Sequence, residues 1–108
     1  TAMPEIVVNK EISAHGGRYV AKVAGVAAEA ELTFTQRSLD LISADHTGAP
    51  DSLKGTGAAK ALVDFMIADA RKNGFKIMPV CPYVRAQYAK NPEWRDVMTV
   101  PPGETATR

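Results

Sequence analysis

The 108-residue chain has little of several features that mark large classes of proteins. It contains one cysteine, Cys81, so no internal disulfide can form, and we expect a reducing compartment such as the cytoplasm. Aromatic residues make up 6% of the sequence, and the net charge of +1 gives no bulk attraction to nucleic acid or to an anionic membrane. No apolar run approaches the roughly 18 residues that cross a bilayer. No His/Cys cluster has metal-ligand spacing. We therefore expect a soluble protein with no metal, no nucleic acid and no membrane partner.

The length and composition predict one small globular domain spanning residues 1–108. Hydrophobic residues make up 45% and charged residues 23%, which is ordinary for a domain with a modest core. Residues 1–4 lack the apolar segment of a signal peptide, and we expect them to be a flexible start. Residues 100–108 include Pro101-Pro102-Gly103 and are expected to form a flexible tail.

Hydrophobic alternation predicts strands in the first half of the chain. The predicted segments are a short extended stretch at 5–9 and three strands at 18–23, 30–35 and 39–44. Their connections are short, which favours an antiparallel meander. Residues 45–52 are rich in turn-forming types and are predicted to be a loop.

The second half of the chain has helical spacing and clear boundary signals. Apolar residues predict a helix over 58–73, with Gly74 as the left-handed residue that ends it. A short strand follows at 75–80. Pro82 suits the first turn of a second helix ending near Lys90, and residues 94–98 are predicted to form one more turn. The whole pattern predicts an α+β fold with a helix on one face of the sheet.

A glycine loop opens directly onto the first helix, in the stretch Lys54-Gly55-Thr56-Gly57-Ala58-Ala59. Two glycines before a helix leave several main-chain N–H groups free at a terminus with partial positive charge, which favours a phosphate or diphosphate. The loop lacks the third glycine of a dinucleotide-binding fingerprint and the Gly-Lys-Ser/Thr ending of a Walker loop. Taken alone, such a motif is a turn that only begins a helix about as often as it is a ligand site.

Several motifs occur together in an order that resembles a known family. They are Glu31-Leu32-Thr33-Phe34-Thr35, His46-Thr47, the glycine loop continuing through Lys60-Ala61-Leu62-Val63, Cys81-Pro82-Tyr83-Val84 and Asn91-Pro92-Glu93. Together they resemble the small, single-domain branch of the GNAT (GCN-related N-acetyltransferase) superfamily over about residues 18–97. Some relatives carry histidine where this chain has Asn91, so a role that needs that imidazole does not transfer.

The resemblance implies a GNAT-like fold and an acetyl-CoA site. By that resemblance the loop amides hold the CoA diphosphate, with the cofactor-binding residues being Lys54, Gly55, Thr56, Gly57, Ala58, Ala59 and Lys60. It also implies that the pantetheine arm lies where the strand before the loop and the strand after the helix separate. The residues agree, because Pro79 cannot donate a ladder hydrogen bond and pairing should fail near it. Such a failure would leave a cleft beside Cys81.

Three side chains are candidates for the chemistry. Cys81 would lie at the N-cap of the second helix, where the helix dipole favours a thiolate that could accept an acetyl group. The alternative is a buried thiol that fills space. His46, just after a predicted strand, is either a general base for the amine or a loop histidine that orders its turn. Tyr83 is either a general acid toward the CoA thiolate or a packing aromatic.

Two functions from different classes follow. The first is an acetyl-CoA-dependent N-acetyltransferase acting on an unidentified primary amine, with or without a covalent acetyl-cysteine step. The second is a module that binds CoA or acyl-CoA without turnover, favoured by the short chain, which lacks the elements from which larger relatives build an acceptor pocket. The sequence does not identify the acceptor, the oligomeric state or a partner that completes the site.

Overall fold

The computed structural model of the protein describes residues 5–53 and 55–102. Five strands form one sheet, and the elements are β1 (Ile6–Ser13), β2 (Gly16–Val23), β3 (Glu29–Ser38), β4 (Leu41–Gly48), α1 (Ala58–Asn73), β5 (Lys76–Pro79) and α2 (Pro82–Lys90), with 3-10 turns at Asp51–Leu53 and Pro92–Val97. The expectations for residues 1–4, for Lys54 and for residues 103–108 lie outside the described residues.

The sheet has the order β1-β2-β3-β4-β5. The first four strands pair antiparallel in sequence order, so the predicted meander is confirmed and gains β1 as a full strand. β5 pairs parallel with β4, with register from Leu41 opposite Lys76 to Ala44 opposite Pro79. A parallel neighbour requires a long crossover, which α1 provides. The predicted α+β fold is confirmed.

Helix α1 covers one face of the sheet and contacts β1, β2 and β3. The alternation along β3 shows this directly, because Leu32 and Phe34 are buried whereas Glu31 and Thr33 are only half-buried. The opposite side of the sheet carries polar and charged side chains. We call this side the open face, and it includes Glu11, Arg18, Glu31, Thr33 and His46, all half-buried or exposed.

The bounds of α1 follow from glycine chemistry at both ends. Gly57 precedes the helix and Gly74 follows it, and both have left-handed backbone geometry, with φ of 86° and 75°. The Gly74 N–H donates to the Ala70 carbonyl at 2.9 Å and so closes the last turn. Leu62, fully buried on the sheet side, illustrates the packing that stabilises the helix, since truncating such a residue to alanine costs about 2–5 kcal/mol.

Several predicted element boundaries were wrong. The turn between β3 and β4 lies at Leu39 and Asp40, so β3 continues past its predicted end at residue 35, and the Leu39 side chain is fully exposed (102%). Within this turn, the Ser38 hydroxyl donates to an Asp40 carboxylate oxygen at 3.1 Å. β4 continues to Gly48, so the first half of the predicted 45–52 loop is strand. The last 3-10 turn begins at Pro92, two residues before the predicted start.

Candidate active site

The glycine loop before α1 depends on two residues in left-handed geometry. Gly55 has φ of 79° and Gly57 has φ of 86°, values that residues with a Cβ adopt only with strain. Both glycines are exposed. A Cβ placed at Gly55 would meet no described atom within 4 Å, and one at Gly57 would meet only the Ile6 side chain, at 4.0 Å. The loop therefore borders open space.

The main-chain N–H groups of the loop fall into two sets. The Thr56 N–H donates to the Leu53 carbonyl at 3.2 Å, and the Ala58 N–H donates to the Thr56 hydroxyl at 3.3 Å. The N–H groups of Gly57, Ala59 and Lys60 have no hydrogen-bond acceptor within residues 5–53 and 55–102, as expected for the first turn of a helix. Two of the N–H groups in the loop, those of Thr56 and Ala58, are therefore used within the protein.

Lys60 adds a positive side chain to this turn. Its Nζ lies 2.8 Å from Asp64 Oδ2, one helical turn further on, and this ion pair raises the pKa of Lys60. The Lys60 side chain is more than half exposed, so the pair is open to exchange with other anions. Lys54, predicted to contribute to the same site, lies outside the described residues.

β4 and β5 separate at the position that Pro79 predicts. Ala44 and Pro79 are the last paired residues, yet β4 runs four residues further to Gly48. The Val80 N–H turns back to the Met78 carbonyl at 2.9 Å, which takes the chain out of the ladder. One further hydrogen bond, from the Cys81 N–H to the Ala44 carbonyl at 2.8 Å, fixes the start of α2 against β4.

Cys81 is the N-cap of α2, with Pro82 at the first helical position, as the sequence predicts. Its thiol is buried, with 2% of the residue exposed, and its Sγ lies 3.3 Å from the hydroxyl oxygen of Thr47 on β4. This contact spans the space between the separated strands. The open cleft expected beside Cys81 is therefore bridged here by two side chains.

Tyr83 is the second residue of α2 and is half-buried against the core. Burial raises the pKa of its phenol, Lys60 opposes that effect, and the negative charge of Asp64 adds to it. The same interactions show that Tyr83 is within electrostatic range of the first turn of α1. The predicted site residues Tyr83, Cys81 and Lys60 are therefore brought to one region.

His46 lies within β4 and not after it, so its predicted place in a loop was wrong. It pairs with Thr33, and the Thr33 hydroxyl donates to the His46 carbonyl at 3.3 Å. The ring is exposed on the open face, whereas the next residue, Thr47, points toward Cys81. The structure does not bring the His46 side chain to the Cys81 thiol.

Thr47 is the residue at this site to which sequence reasoning gave no role. The sequence places Thr47 beside His46, but the face of β4 on which the Thr47 side chain lies depends on a β-bulge at Asp45. Thr33 pairs with His46 while Phe34 pairs with Ala44, so Asp45 is an extra residue on β4. Nothing in the local composition signals that shift.

A meander leading through a glycine loop and a central helix into a parallel strand that then separates is the α+β arrangement of a GNAT-like domain. A model of the GCN5-related N-acetyltransferase family matches residues 18–97, and the chain belongs to that family. The family resemblance in the sequence is thereby confirmed, and acetyl transfer is the activity of the class. No curated protein matches the chain.

None of the helices within residues 5–53 and 55–102 is long and apolar enough to cross a membrane. The same part of the chain holds no group of three or more His, Cys, Asp or Glu side chains that could bind a metal ion.

Proposed function

We propose that the protein is an acetyl-CoA-dependent N-acetyltransferase that acts on a primary amine. The observation that carries the proposal is the start of α1, where the N–H groups of Gly57, Ala59 and Lys60 lack an acceptor among the described residues. Free amides at a helix N-terminus bind phosphate groups, and CoA presents a diphosphate. The positive side chain of Lys60 lies in the same turn, and Lys54 precedes it in the sequence.

The separation of β4 and β5 supports a place for the pantetheine arm. Residues 45–48 of β4 extend past the ladder with β5, so their main-chain groups on that side are not used by β5. The two amide groups of pantetheine can pair with a strand in the manner of an added strand. An arm that starts at the diphosphate site and follows β4 leads toward Cys81.

Cys81 is proposed to lie at the acetyl end. In the covalent version, the thiolate attacks the thioester carbonyl, an S–C bond forms, and the CoA thiolate leaves. The acceptor amine then attacks the acetyl-cysteine, an N–C bond forms, the Cys81 thiolate leaves, and a base takes the proton of the amine. In the direct version, the amine attacks the thioester itself and Cys81 only contacts the acetyl group.

Tyr83 and His46 are proposed for the proton transfers. The raised pKa of Tyr83 keeps its phenol protonated at neutral pH, so it can donate a proton to the departing CoA thiolate. His46 is exposed on the open face beside residues 47 and 48, and from there it would accept the proton of an amine that arrives across that face. The acceptor would thus approach from the open face and the donor along the gap between the strands.

The experiment that tests the function combines binding and turnover. The full chain is titrated with CoA and with acetyl-CoA while its melting is followed; a ligand at 100 times its dissociation constant stabilises a fold by about 2.7 kcal/mol. Release of free CoA is then measured against a panel of primary amines. Stabilisation together with amine-dependent release supports the enzyme. Stabilisation without release above hydrolysis supports a binding module, and no stabilisation refutes both.

Intact mass after exposure to acetyl-CoA separates the two mechanisms. A transient acetyl adduct that is absent from Cys81→Ala supports the covalent version. Full amine-dependent activity in Cys81→Ala, with no adduct in the unchanged protein, supports direct attack.

A further inference from the structure

We infer that Thr47 is a positioning residue for Cys81, whose hydroxyl donates a hydrogen bond to the ionised thiol. The inference rests on the proposed role of Cys81 at the acetyl end. Its basis is the 3.3 Å distance between Thr47 Oγ1 and Cys81 Sγ, in a part-buried setting where the cysteine is 2% exposed. Thr47 lies on β4 and Cys81 at the start of α2, 34 positions apart in sequence. The contact therefore connects β4 with the start of α2, beyond the point at which the pairing of β4 with β5 ends.

The β-bulge in β4 decides which residue faces the thiol. Side chains alternate between the two faces of a strand, and Ala44 lies on the core side opposite Phe34. In an uninterrupted strand, His46 would share the side of Ala44 and Thr47 would lie on the open face. The extra residue, Asp45, reverses this order, because Thr47 then pairs with the buried Leu32.

The bulge is held by a polar network on the open face. The carboxylate of Asp45 accepts hydrogen bonds from the hydroxyls of Thr35 and Ser43. The Ser43 hydroxyl in turn accepts a hydrogen bond from Arg37 Nε at 3.0 Å, and Ser43 is fully buried. These bonds anchor the side chain of the extra residue, and so they maintain the register that turns Thr47 toward Cys81.

The direction of the hydrogen bond follows from the charge state of sulfur. With a neutral thiol, either the hydroxyl or the S–H group can be the donor. A thiolate has no proton and only accepts, so the Thr47 hydroxyl must then donate. Hydrogen bonds to a charged acceptor are stronger than neutral ones. The contact therefore stabilises the thiolate more than the thiol, and it holds the sulfur on the β4 side of the gap.

The test measures the reactivity of the thiol without CoA. Because Cys81 is the one cysteine of the chain, the rate of its modification by methyl methanethiosulfonate can be followed across pH in the full-length protein. Thr47→Val removes the hydroxyl and keeps the shape, and Thr47→Ser keeps the hydroxyl. We expect Thr47→Val to slow the reaction at pH 7 by about fivefold or more, from the loss of one hydrogen bond to the thiolate. The rate–pH curve should also shift to higher pH, while Thr47→Ser stays within about twofold.

Thr99→Val is the matched control, because Thr99 is exposed and lies outside β3 and β4, and its curve should not change. Identical curves for Thr47→Val and the unchanged protein would overturn the inference. Equal slowing in Thr47→Ser would also overturn it, since the methyl group and not the hydroxyl would then matter. If Thr47→Val does not fold, Thr47→Ala carries the same expectation. The measurement needs no CoA, so its result can be interpreted even if the proposed acetyltransferase function is wrong.

Discussion

Lys10 on β1 and Asp69 near the end of α1 form an ion pair, with 2.7 Å between Lys10 Nζ and Asp69 Oδ2. The same ammonium lies 5.2 Å from the ring centroid of Phe75 and 5.6 Å from that of Phe34. The Asp69 carboxylate also accepts a hydrogen bond from the Tyr19 hydroxyl at 2.9 Å. This cluster fastens the first strand, which forms one edge of the described sheet, to the central helix.

Replacing Lys10 by methionine should destabilise the protein. The change keeps most of the apolar stem but removes the charge from a partner whose side chain is only 12% exposed. We expect the free energy of unfolding to fall by about 1–2 kcal/mol in denaturant titrations. The control is Lys22→Met, because Lys22 is 65% exposed and its ion pair with Glu29 is 4.0 Å long. That change should stay within about 0.5 kcal/mol. Equal losses in both variants would contradict the prediction.

Acid should remove the stabilisation that Asp69 provides. Burial opposes ionisation of this carboxyl group, but hydrogen bonds from Lys10 and Tyr19 outweigh that effect and lower the pKa of Asp69. Because the pKa of Asp69 is lower in the folded state, its ionised carboxyl group stabilises the fold at pH values above the unfolded-state pKa of about 3.9. This stability is lost as the pH falls through the folded-state pKa. The difference in unfolding free energy between the unchanged protein and Asp69→Asn should therefore be largest near neutrality.

The measurement is a set of denaturant titrations between pH 2 and pH 7. The difference should close as the pH falls below about 4. Asp64→Asn serves as the control, because Asp64 is about half exposed and its ion pair is with the exposed Lys60. A difference for Asp69→Asn that stays constant across the range would show that charge does not drive the effect.

A negative side chain at the start of α1 should weaken the binding of CoA without lowering the stability of the fold. In Ala59→Glu the carboxylate favours the helix N-terminus, so the unfolding free energy should be unchanged or rise by up to about 0.5 kcal/mol. The same carboxylate repels a diphosphate, and the dissociation constant for CoA should rise at least about tenfold in calorimetry. Ala68→Glu makes the same change of charge at an exposed position in the middle of α1. It should bind CoA like the unchanged protein; similar weakening in both variants would exclude the loop as the anion site.

Tyr83→Phe should lower turnover more than binding. If the phenol protonates the leaving CoA thiolate, its loss should reduce kcat about 100-fold, with KM for acetyl-CoA changed by less than about threefold. The raised pKa of Tyr83 predicts that the acid form persists past neutral pH, so the alkaline decline in activity should be absent from the variant. An unchanged kcat would leave Tyr83 with a packing role alone.

Residues with strong local preferences could be located from the sequence, and they set the central part of the fold. Gly57 and Gly74 bound α1, and Pro82 starts α2, because left-handed geometry and a missing N–H act locally. The gap between β4 and β5 was predictable for the same reason, since the inability of Pro79 to donate is a property of one residue. The start of α2 at Pro82 also makes Cys81 the N-cap of that helix.

The parts of the site that could not be predicted depend on contacts between distant residues. Asp45, His46 and Thr47 have the composition of a loop, yet they continue β4 because His46 and Thr47 pair with Thr33 and Leu32 of β3. The bulge that orients Thr47 is held by Thr35, which is 10 positions away in sequence. The side on which His46 lies follows from that bulge, so no local pattern could have separated it from Cys81.

Helix α1 begins at the proposed anion site, and the same helix packs across β1, β2 and β3. Its first turn carries Ala58, which is buried, and the fully buried Leu62 and Val63 follow directly after it. If a ligand binds at residues 57–60, we expect its stabilisation to extend into this core and not to remain within the loop. Amide protons deep in β2 and β3, far from any bound nucleotide, should exchange more slowly in its presence and so report that the ligand has arrived.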